Sequence, residues 1–287
     1  MPYDVAILGA GPAGLSAALT LKLHNKSILW FGSRDLSLKV ERSERIANYP
    51  GVAMTSGTDL NRLFQEQLDE MDLELTDRMV TLITPTGKSF MLLADNEIFE
   101  AKTVILCSGT AQAKGFPGEA EFLGRGVSYC ATCDGFLYKG KTIAVFCGAK
   151  RYEHEVADLA GFASEVHLFT PYADSEVDLP NVRRLSSPIK AVNGGMWVES
   201  LTLADGSTLP VDGIFILRSA IAPTTLIQGL QMDGPHVLVN RRQETNIPGF
   251  YAAGDITGRP YQITKAVGEG NVAAHSVMEY LTEQEKA

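Results

Sequence analysis

Hydrophobic and polar positions along the first thirty residues follow a pattern typical of a strand–helix–strand unit. The apolar run Val5–Leu8 predicts a buried parallel strand. A glycine-rich turn follows it, and then an Ala/Leu-rich segment from about Pro12 to His24 predicts a helix. Pro12 suits the first helical turn because its missing N–H has no partner there. A second apolar run at Ser27–Phe31 completes a βαβ opening, which indicates a mostly parallel sheet covered by helices.

A second unit of the same type begins near the middle of the chain. Thr142–Phe146 predicts a strand, Tyr152–Phe162 a helix and Glu165–Phe169 the next strand. Near the C-terminus, Gly249–Asp255 predicts a short strand with a turn, and Ile263–Leu281 predicts an amphipathic helix. The sequence therefore predicts an α/β fold class with two Rossmann-like, dinucleotide-binding-type domains.

Composition narrows the class of protein. The chain has 287 residues, 45% of them hydrophobic and 21% charged, which is typical of a globular protein of about two domains. A net charge of −9 argues against a general nucleic-acid binder, which needs a basic face for phosphates. No apolar run is long enough to span a bilayer and no signal segment is recognisable, so we expect a cytoplasmic protein without membrane attachment.

The glycines after the first predicted strand form a GxGxxG motif. Gly9 would allow a tight turn, Gly11 a close backbone approach to a pyrophosphate, and Gly14 close packing of helix on strand. The acidic residue that usually closes the second strand and holds a ribose is absent, since Phe31–Arg34 occupies that place. The motif predicts a dinucleotide site without deciding which dinucleotide it binds.

Two of the four cysteines form a CxxC motif at Cys130 and Cys133. This spacing lets two sulfurs form and break a disulfide with little backbone movement. Asp134 follows directly and could act as proton donor or acceptor in thiol–disulfide exchange. A zinc site would need a second pair, whereas Cys107 and Cys147 stand alone. The motif therefore favours redox chemistry, and no metal is expected.

These motifs resemble those of the low-molecular-weight thioredoxin reductase family over nearly the whole chain. The matching segments are Gly9–Gly14 for its FAD motif, Asn48–Gly51 for its flavin loop, Cys130–Gly135 for its catalytic motif, Ala253–Asp255 for its second FAD motif and Gly268–Ala274 for the start of the helix beneath the flavin. The resemblance implies the flavoprotein disulfide reductase fold, FAD as cofactor and thioredoxin as the disulfide substrate.

The resemblance also implies roles for individual residues. Cys133 would face the flavin, Cys130 would attack the thioredoxin disulfide, and Asp134 would handle the proton. The residues expected to bind FAD are Gly9, Gly11, Pro12, Ala13, Gly14, Asn48, Gly254, Asp255, Gln262 and Ile263, with Asp255 on the ribityl chain.

Domain organisation and assembly follow from the same resemblance. It implies a discontinuous FAD-binding domain made of residues 1–115 and 242–287. An inserted redox-disulfide domain, related to NADPH domains, would span residues 116–241. It further implies a homodimer.

The second nucleotide motif departs from the family pattern. Members that use NADPH carry GxGxxA there, whereas this chain has Cys147–Tyr152, with Tyr152 where a small residue is expected. The arginines expected after Phe169 to bind a 2′-phosphate are absent, and the acids Asp174, Glu176 and Asp178 follow instead. Losing two charged hydrogen bonds and the glycine turn should weaken NADPH binding by roughly a thousandfold. The chain thus resembles the pyridine-nucleotide-independent branch, whose flavin thioredoxin reductases depend on ferredoxin.

The electron donor nevertheless stays open. Ferredoxin is the leading hypothesis, and its acidic surface would need basic residues drawn from Lys150, Arg151, Arg183, Arg184, Arg241 and Arg242. The alternatives are an NADPH-dependent thioredoxin reductase, a disulfide reductase linked to a deazaflavin or a second flavin, and an FAD-dependent dithiol oxidase that uses oxygen. A flavin-bearing sensor without enzymatic activity is disfavoured, because it has no need of Cys130, Cys133 and Asp134 together.

Overall fold

The structure is a computed structural model that describes residues 2–41, 43–95, 97–109, 115–129, 131–218 and 222–286. The chain divides into two compact units, and each is described by itself. Unit 1 comprises Met1–Ala113 and Ala222–Ala287, and unit 2 comprises Lys114–Ile221.

The elements follow the chain in three blocks. The first block of unit 1 contains β1 (Tyr3–Leu8), α1 (Pro12–Leu23), β2 (Ile28–Phe31), α2 (Leu38–Glu41), α3 (Gly57–Glu70), β3 (Val80–Pro85), β4 (Phe90–Ala94) and β5 (Glu97–Leu106). Unit 2 contains β6 (Val127–Ser128), α4 (Ala131–Asp134), β7 (Thr142–Cys147), α5 (Glu153–Phe162), β8 (Glu165–Phe169), β9 (Val182–Arg184), β10 (Ile189–Gly194), β11 (Val198–Leu203), β12 (Thr208–Pro210) and β13 (Gly213–Leu217). The second block of unit 1 contains α6 (Pro223–Leu226), β14 (Met232–Asp233), β15 (His236–Val237), β16 (Phe250–Ala252) and α7 (Ile263–Gln284).

The main sheet of unit 1 has the strand order β2-β1-β5-β4-β3, and β16 also pairs with β5. Strands β1, β2, β5 and β16 run parallel, while β3 and β4 continue the sheet antiparallel. Since β1 and β16 both run parallel to β5, their carboxyl ends lie at the same edge of the sheet. Ligands of open α/β sheets bind at this edge, which directs attention to the residues that follow β1 and β16.

Helices α1 and α7 pack closely against each other. A Cβ atom at Gly270 would lie 2.1 Å from the carbonyl oxygen of Ala13, so a larger residue in α7 would force the helices apart. Buried Ala13 of α1, whose backbone lies against Gly270, has a side chain small enough for this close approach. The predicted boundaries of both helices are confirmed to within a few residues, because their apolar periodicity was continuous and their ends carried glycine or polar signals.

Unit 2 is built on a parallel sheet of order β6-β13-β7-β8-β9, with a separate antiparallel sheet of order β10-β11-β12. Ile143, Val145 and Phe215 in its central strands are 0% exposed, as expected for parallel strands covered on both faces. The predicted strands at Thr142–Phe146 and Glu165–Phe169 and the predicted α/β class are confirmed.

The second predicted boundary, after residue 241, differs from the division in the structure, which comes after Ile221. Residues from Ala222 onward belong to unit 1 because α6 packs against β3, and β15 packs against the short 3-10 helix Asp255–Thr257. The polar stretch at 240–243 is a turn within unit 1. Among the described residues, no helix combines the length and the apolarity that a membrane span requires.

Candidate functional site

The turn between β1 and α1 has the geometry that its three glycines predict. Gly9 has a φ of 113°, and a Cβ atom there would lie 2.3 Å from the carbonyl oxygen of Cys107. A Cβ atom at Gly14 would lie 2.0 Å from the carbonyl oxygen of Gly9, so this glycine is required for the helix to approach the strand. Gly11 differs, because among the described residues no atom other than those of its own chain neighbours lies within 4 Å of its virtual Cβ. The space beside Gly11 is therefore open to a ligand.

The start of α1 suits an anion. Gly11 is the N-cap and Pro12 takes the first helical position, and no acidic side chain occupies the first turn. The first backbone N–H groups of a helix lack intrahelical partners and carry the positive end of its dipole. This end of α1 can therefore bind the pyrophosphate of a dinucleotide.

The segment after β16 reaches the same place. Gly254 has a φ of 89°, and its virtual Cβ lies 3.0 Å from the Cβ of Ala13 at the start of α1. Asp255 follows, with a side chain only 12% exposed that forms an ion pair with Lys39 of α2. The structure thus brings Asp255 beside the glycine turn, although some 240 residues separate them in sequence.

A lysine and a glutamate on α7 hold this segment in place. Lys265 Nζ donates to the carbonyl oxygens of Gly254 and Gly258 at 2.7 and 2.8 Å and pairs with Glu269 at 2.9 Å. Glu269 in turn accepts the backbone N–H of Gly254 at 2.9 Å. Sequence reasoning did not single out Lys265. Its only local signal is the i,i+4 spacing from Glu269 near a helix start.

The remaining predicted cofactor residues lie on the loop before α3 and at the start of α7. Asn48 Nδ2 donates to Gln262 Oε1 at 2.9 Å, and Ile263 begins α7 directly after Gln262. Lys39, which pairs with Asp255, lies with its Nζ 4.9 Å from the ring centroid of Tyr261. These contacts connect the loop at Asn48 with Asp255, so all the predicted FAD residues gather at one end of unit 1.

The redox segment of unit 2 is described in part. Cys130 lies outside the described residues, as does the side chain of Cys133, whose backbone is in α4. Asp134 ends α4, and its Oδ2 accepts a hydrogen bond of 2.6 Å from Ser128 Oγ, on β6. This bond fixes the carboxyl group that directly follows the cysteine pair. Ser128 was not among the predicted site residues, because its partner is set by the fold.

A buried polar cluster lies directly before Cys130 in the chain. Glu119, which is 1% exposed, accepts hydrogen bonds from the Tyr129 hydroxyl at 2.8 Å and from the Phe116 backbone at 2.7 Å. It also forms an ion pair with Arg218, at the end of β13. Burial, and then the charge of Glu119, raise the pKa of Tyr129, so its hydroxyl stays protonated and remains a donor. The cluster anchors the strand that leads into the redox motif.

The second nucleotide-type turn, after β7, has a different character from the first. Lys150–Tyr152 forms a 3-10 helix, and α5 begins only at Glu153. Glu153 and Glu155 occupy the first turn of α5, where α1 has no acid. Burial raises the pKa of Glu153, but hydrogen bonds from Ser175, Glu176 and Tyr172 outweigh it, so the pKa is lowered and the carboxylate stays charged.

The loop after β8 folds onto this turn. Tyr172 donates its hydroxyl to Glu153 Oε1 at 3.0 Å and lies 3.2 Å from Cys147 Sγ. Lys150 Nζ pairs with Asp174 and Glu176, each at 3.0 Å. Lys150, a cation that a phosphate could use, is therefore engaged by carboxylates of the protein itself.

The other two cysteines, Cys107 and Cys147, are both buried. Burial raises the pKa of the Cys107 and Cys147 thiols, which leaves both protonated and unreactive at neutral pH. No cluster of His, Cys, Asp and Glu suited to a metal ion occurs among the residues that the structure describes.

Comparison with known proteins agrees with this geometry. The profile of the pyridine nucleotide-disulphide oxidoreductase family matches residues 3–169 and 182–270, which is most of the chain. The chain belongs to this family. It is an oxidoreductase that acts on disulfides, and its cofactor is FAD. The open space at Gly11 and the acid-free helix start fit this cofactor, so the residues of unit 1 are suited to hold it.

Individual relatives refine the comparison. A thioredoxin reductase from Aquifex aeolicus is 34% identical over 309 residues, covering 99% of this chain and 95% of its own. A crystal structure of a ferredoxin-flavin thioredoxin reductase from Clostridium acetobutylicum superposes with a TM-score of 0.94 at 36% identity, covering 100% of both chains. A second structure with the same description is 41% identical with a TM-score of 0.83, covering 98% of this chain and 99% of its own.

Proposed function

We propose that this protein is a thioredoxin reductase whose electrons come from ferredoxin and not from NADPH. The thioredoxin reductases among its relatives support the disulfide substrate, and the two ferredoxin-flavin structures support the donor. The observation that carries the proposal is the contrast between the helix starts of α1 and α5.

The start of α1 is suited to bind an anion, whereas the acidic side chains at the start of α5 repel one. Glu153 and Glu155 place two carboxylates at the dipole end that a pyrophosphate would occupy. Of the two cations on this turn, Lys150 pairs with Asp174 and Glu176, and Arg151 Nη2 donates to the Tyr152 hydroxyl at 2.8 Å. Arg184 reaches the loop from β9, but its Nη2 donates to Tyr172 O at 2.5 Å and to Thr170 Oγ1 at 2.9 Å.

In this proposal unit 1 binds FAD through the glycine turn, Gly254 and Asp255, and unit 2 carries the redox pair. When bound, FAD supplies the chemistry that combines two single electrons into the pair that a disulfide requires. Cys133 faces the cofactor, Cys130 exchanges with the thioredoxin disulfide, and Asp134 gives or takes the proton at sulfur. Each turnover consumes two reduced ferredoxins and two protons and converts one disulfide into two thiols. The homodimer and the cytoplasmic location stay predictions.

The test is an anaerobic flavin titration of the holoenzyme. Reduced ferredoxin should bleach the flavin absorbance and, with oxidised thioredoxin present, should produce thioredoxin thiols. Excess NADPH should leave the flavin oxidised. A Cys130→Ser variant should keep its flavin and its reduction by ferredoxin but lose thioredoxin reduction. Prompt bleaching by micromolar NADPH would contradict the proposal, and rapid oxygen consumption with a small dithiol would favour a dithiol oxidase.

A further inference from the structure

A half-exposed tyrosine in unit 1 is surrounded by basic groups. Tyr261 is 36% exposed, and its hydroxyl lies 2.7 Å from His236 Nε2. The Lys39 ammonium lies 4.9 Å from the ring centroid and the Arg259 guanidinium 5.4 Å from it. Gln262, the next residue, is bonded to Asn48, three positions after the exposed Arg45. His236, Lys39, Arg259 and Tyr261 are called the Tyr261 patch, together with Arg45 on the loop that the Asn48–Gln262 hydrogen bond joins to the start of α7.

Two cations of the patch lack acidic partners. Arg45 Nε donates to Met54 Sδ at 2.8 Å, and Arg259 lies over an aromatic ring. Neither has an acidic group within ion-pair distance in the part of the chain that the structure describes. Several other cations of unit 1 do pair with carboxylates: Arg34, Arg62, Arg78, Lys102 and Arg242.

Five of the six basic residues that the sequence suggested for docking are already engaged by other groups of the protein. Lys150, Arg183 and Arg242 pair with acids, and Arg184 is engaged by backbone and hydroxyl oxygens. Arg151 Nη2 is bonded to the Tyr152 hydroxyl at 2.8 Å. The Tyr261 patch was missed because its residues come from three separate segments of sequence, around residues 39–45, 236 and 259–261.

The location of the patch connects it to the cofactor. Lys39 pairs with Asp255, which the proposed function places on the ribityl chain, and Gln262 and Asn48 belong to the same proposed site. A protein that delivers single electrons has to dock close to the flavin, because electron transfer between proteins falls off steeply with distance.

We propose that the Tyr261 patch is the docking surface for the acidic iron–sulfur protein that reduces the flavin. The inference rests on the proposed function. Because the whole chain carries a net charge of −9, its overall charge repels an acidic partner. A local group of unpaired cations beside the cofactor then selects the productive orientation and raises the association rate. Tyr261 supplies the apolar face that such a contact excludes from water.

The test compares charge reversals inside and outside the patch. Arg259→Glu and Arg45→Glu each change the net charge by two, and so does the control Lys88→Glu. Lys88 is an exposed residue of the same unit, beside a surface cavity lined by Pro2 and Gln284. The holoenzymes are mixed with a recombinant reduced bacterial ferredoxin in an anaerobic stopped-flow instrument at several salt concentrations. Flavin content and complete reduction by dithionite verify that each variant is intact.

We expect the bimolecular rate of flavin reduction at low salt to fall about tenfold for Arg259→Glu and Arg45→Glu, and less than about twofold for Lys88→Glu. The salt dependence should also become weaker in the two patch variants. Equal rates for patch and control variants, with wild-type protein reduced normally, would overturn the docking site alone. A patch variant impaired only in thioredoxin reduction would overturn it too, in favour of thioredoxin docking. A wild-type flavin that ferredoxin does not reduce would instead refute the proposed function.

Discussion

Arg218 and Glu119 form a buried ion pair between two segments that are far apart in sequence, and its disruption should have a large, local effect. Replacing Arg218 by Met retains a long side chain but removes the charge, which leaves the Glu119 carboxylate, 1% exposed, without its cation. Removing one partner of a buried pair costs about 3–5 kcal/mol. Tyr129 and the Phe116 backbone still donate to Glu119, so the lower end, about 3 kcal/mol, applies here.

The assay has to separate the two units, since a single unfolding temperature is poorly defined for a chain with two of them. Hydrogen–deuterium exchange read by mass spectrometry does so peptide by peptide. A loss of about 3 kcal/mol corresponds to about a hundredfold faster exchange. We expect this acceleration in peptides from β7, β8 and β13 of unit 2, with β1 and β5 of unit 1 as internal controls.

The double variant Glu119→Leu with Arg218→Met tests the reasoning directly. When both charges are removed, no ion is left buried without its partner, so exchange in unit 2 should return most of the way to that of the parent protein. If Arg218→Met accelerates exchange less than about threefold, or if the double variant exchanges as fast as Arg218→Met, the pair does not hold the unit as argued.

Three further predictions concern single positions. Gly14→Val should prevent unit 1 from folding, because its Cβ would lie 2.0 Å from a carbonyl oxygen. Gly11→Val should instead fold normally, as judged by circular dichroism, but bind FAD at least about tenfold more weakly in a fluorescence titration. Lys265→Met removes the donor to the Gly254 and Gly258 carbonyls. Since a charged hydrogen bond contributes about 1.5–3 kcal/mol, FAD should be released at least about tenfold faster, as measured by flavin fluorescence after dilution. An unchanged release rate would show that these hydrogen bonds do not hold the loop for FAD. Burial lowers the pKa of His167, so its pKa in the folded protein lies below the unfolded value of about 6.5. The neutral imidazole's contribution to stability is therefore fully present above the unfolded pKa and is lost as pH falls through the folded pKa. The melting temperature of His167→Val should therefore fall less between pH 7 and pH 5 than that of the parent protein. If the melting temperatures of the two proteins change with pH in parallel, the assignment to His167 is wrong.

Much of this protein was predictable from short stretches of sequence. The strand–turn–helix at Val5–His24 depends on apolar periodicity and on glycines that act within a few residues of each other, so local pattern suffices. The same holds for the strands and helix at residues 142–169 and for the terminal helix α7. The predicted dinucleotide turn has its expected geometry because Gly9 and Gly14 are required by backbone atoms that the motif itself positions.

Tertiary structure decided what depends on contacts between distant segments. The sequence contains Glu119 and Arg218 without any sign that they pair across 99 positions. Similarly, the clamp by Lys265, the bond from Ser128 to Asp134 and the boundary after Ile221 follow from packing that no local pattern encodes.

The replaced second nucleotide motif was visible in the sequence, but the contacts made by the residues in its place were not. The sequence showed that Cys147 and Ala149 replace the motif glycines and that the arginines expected after Phe169 are absent. Only the fold shows that Tyr172 and the acids of its loop close over the start of α5 and neutralise Lys150. Motifs record which residues a ligand would contact, whereas long-range contacts determine which of those residues are still available to it.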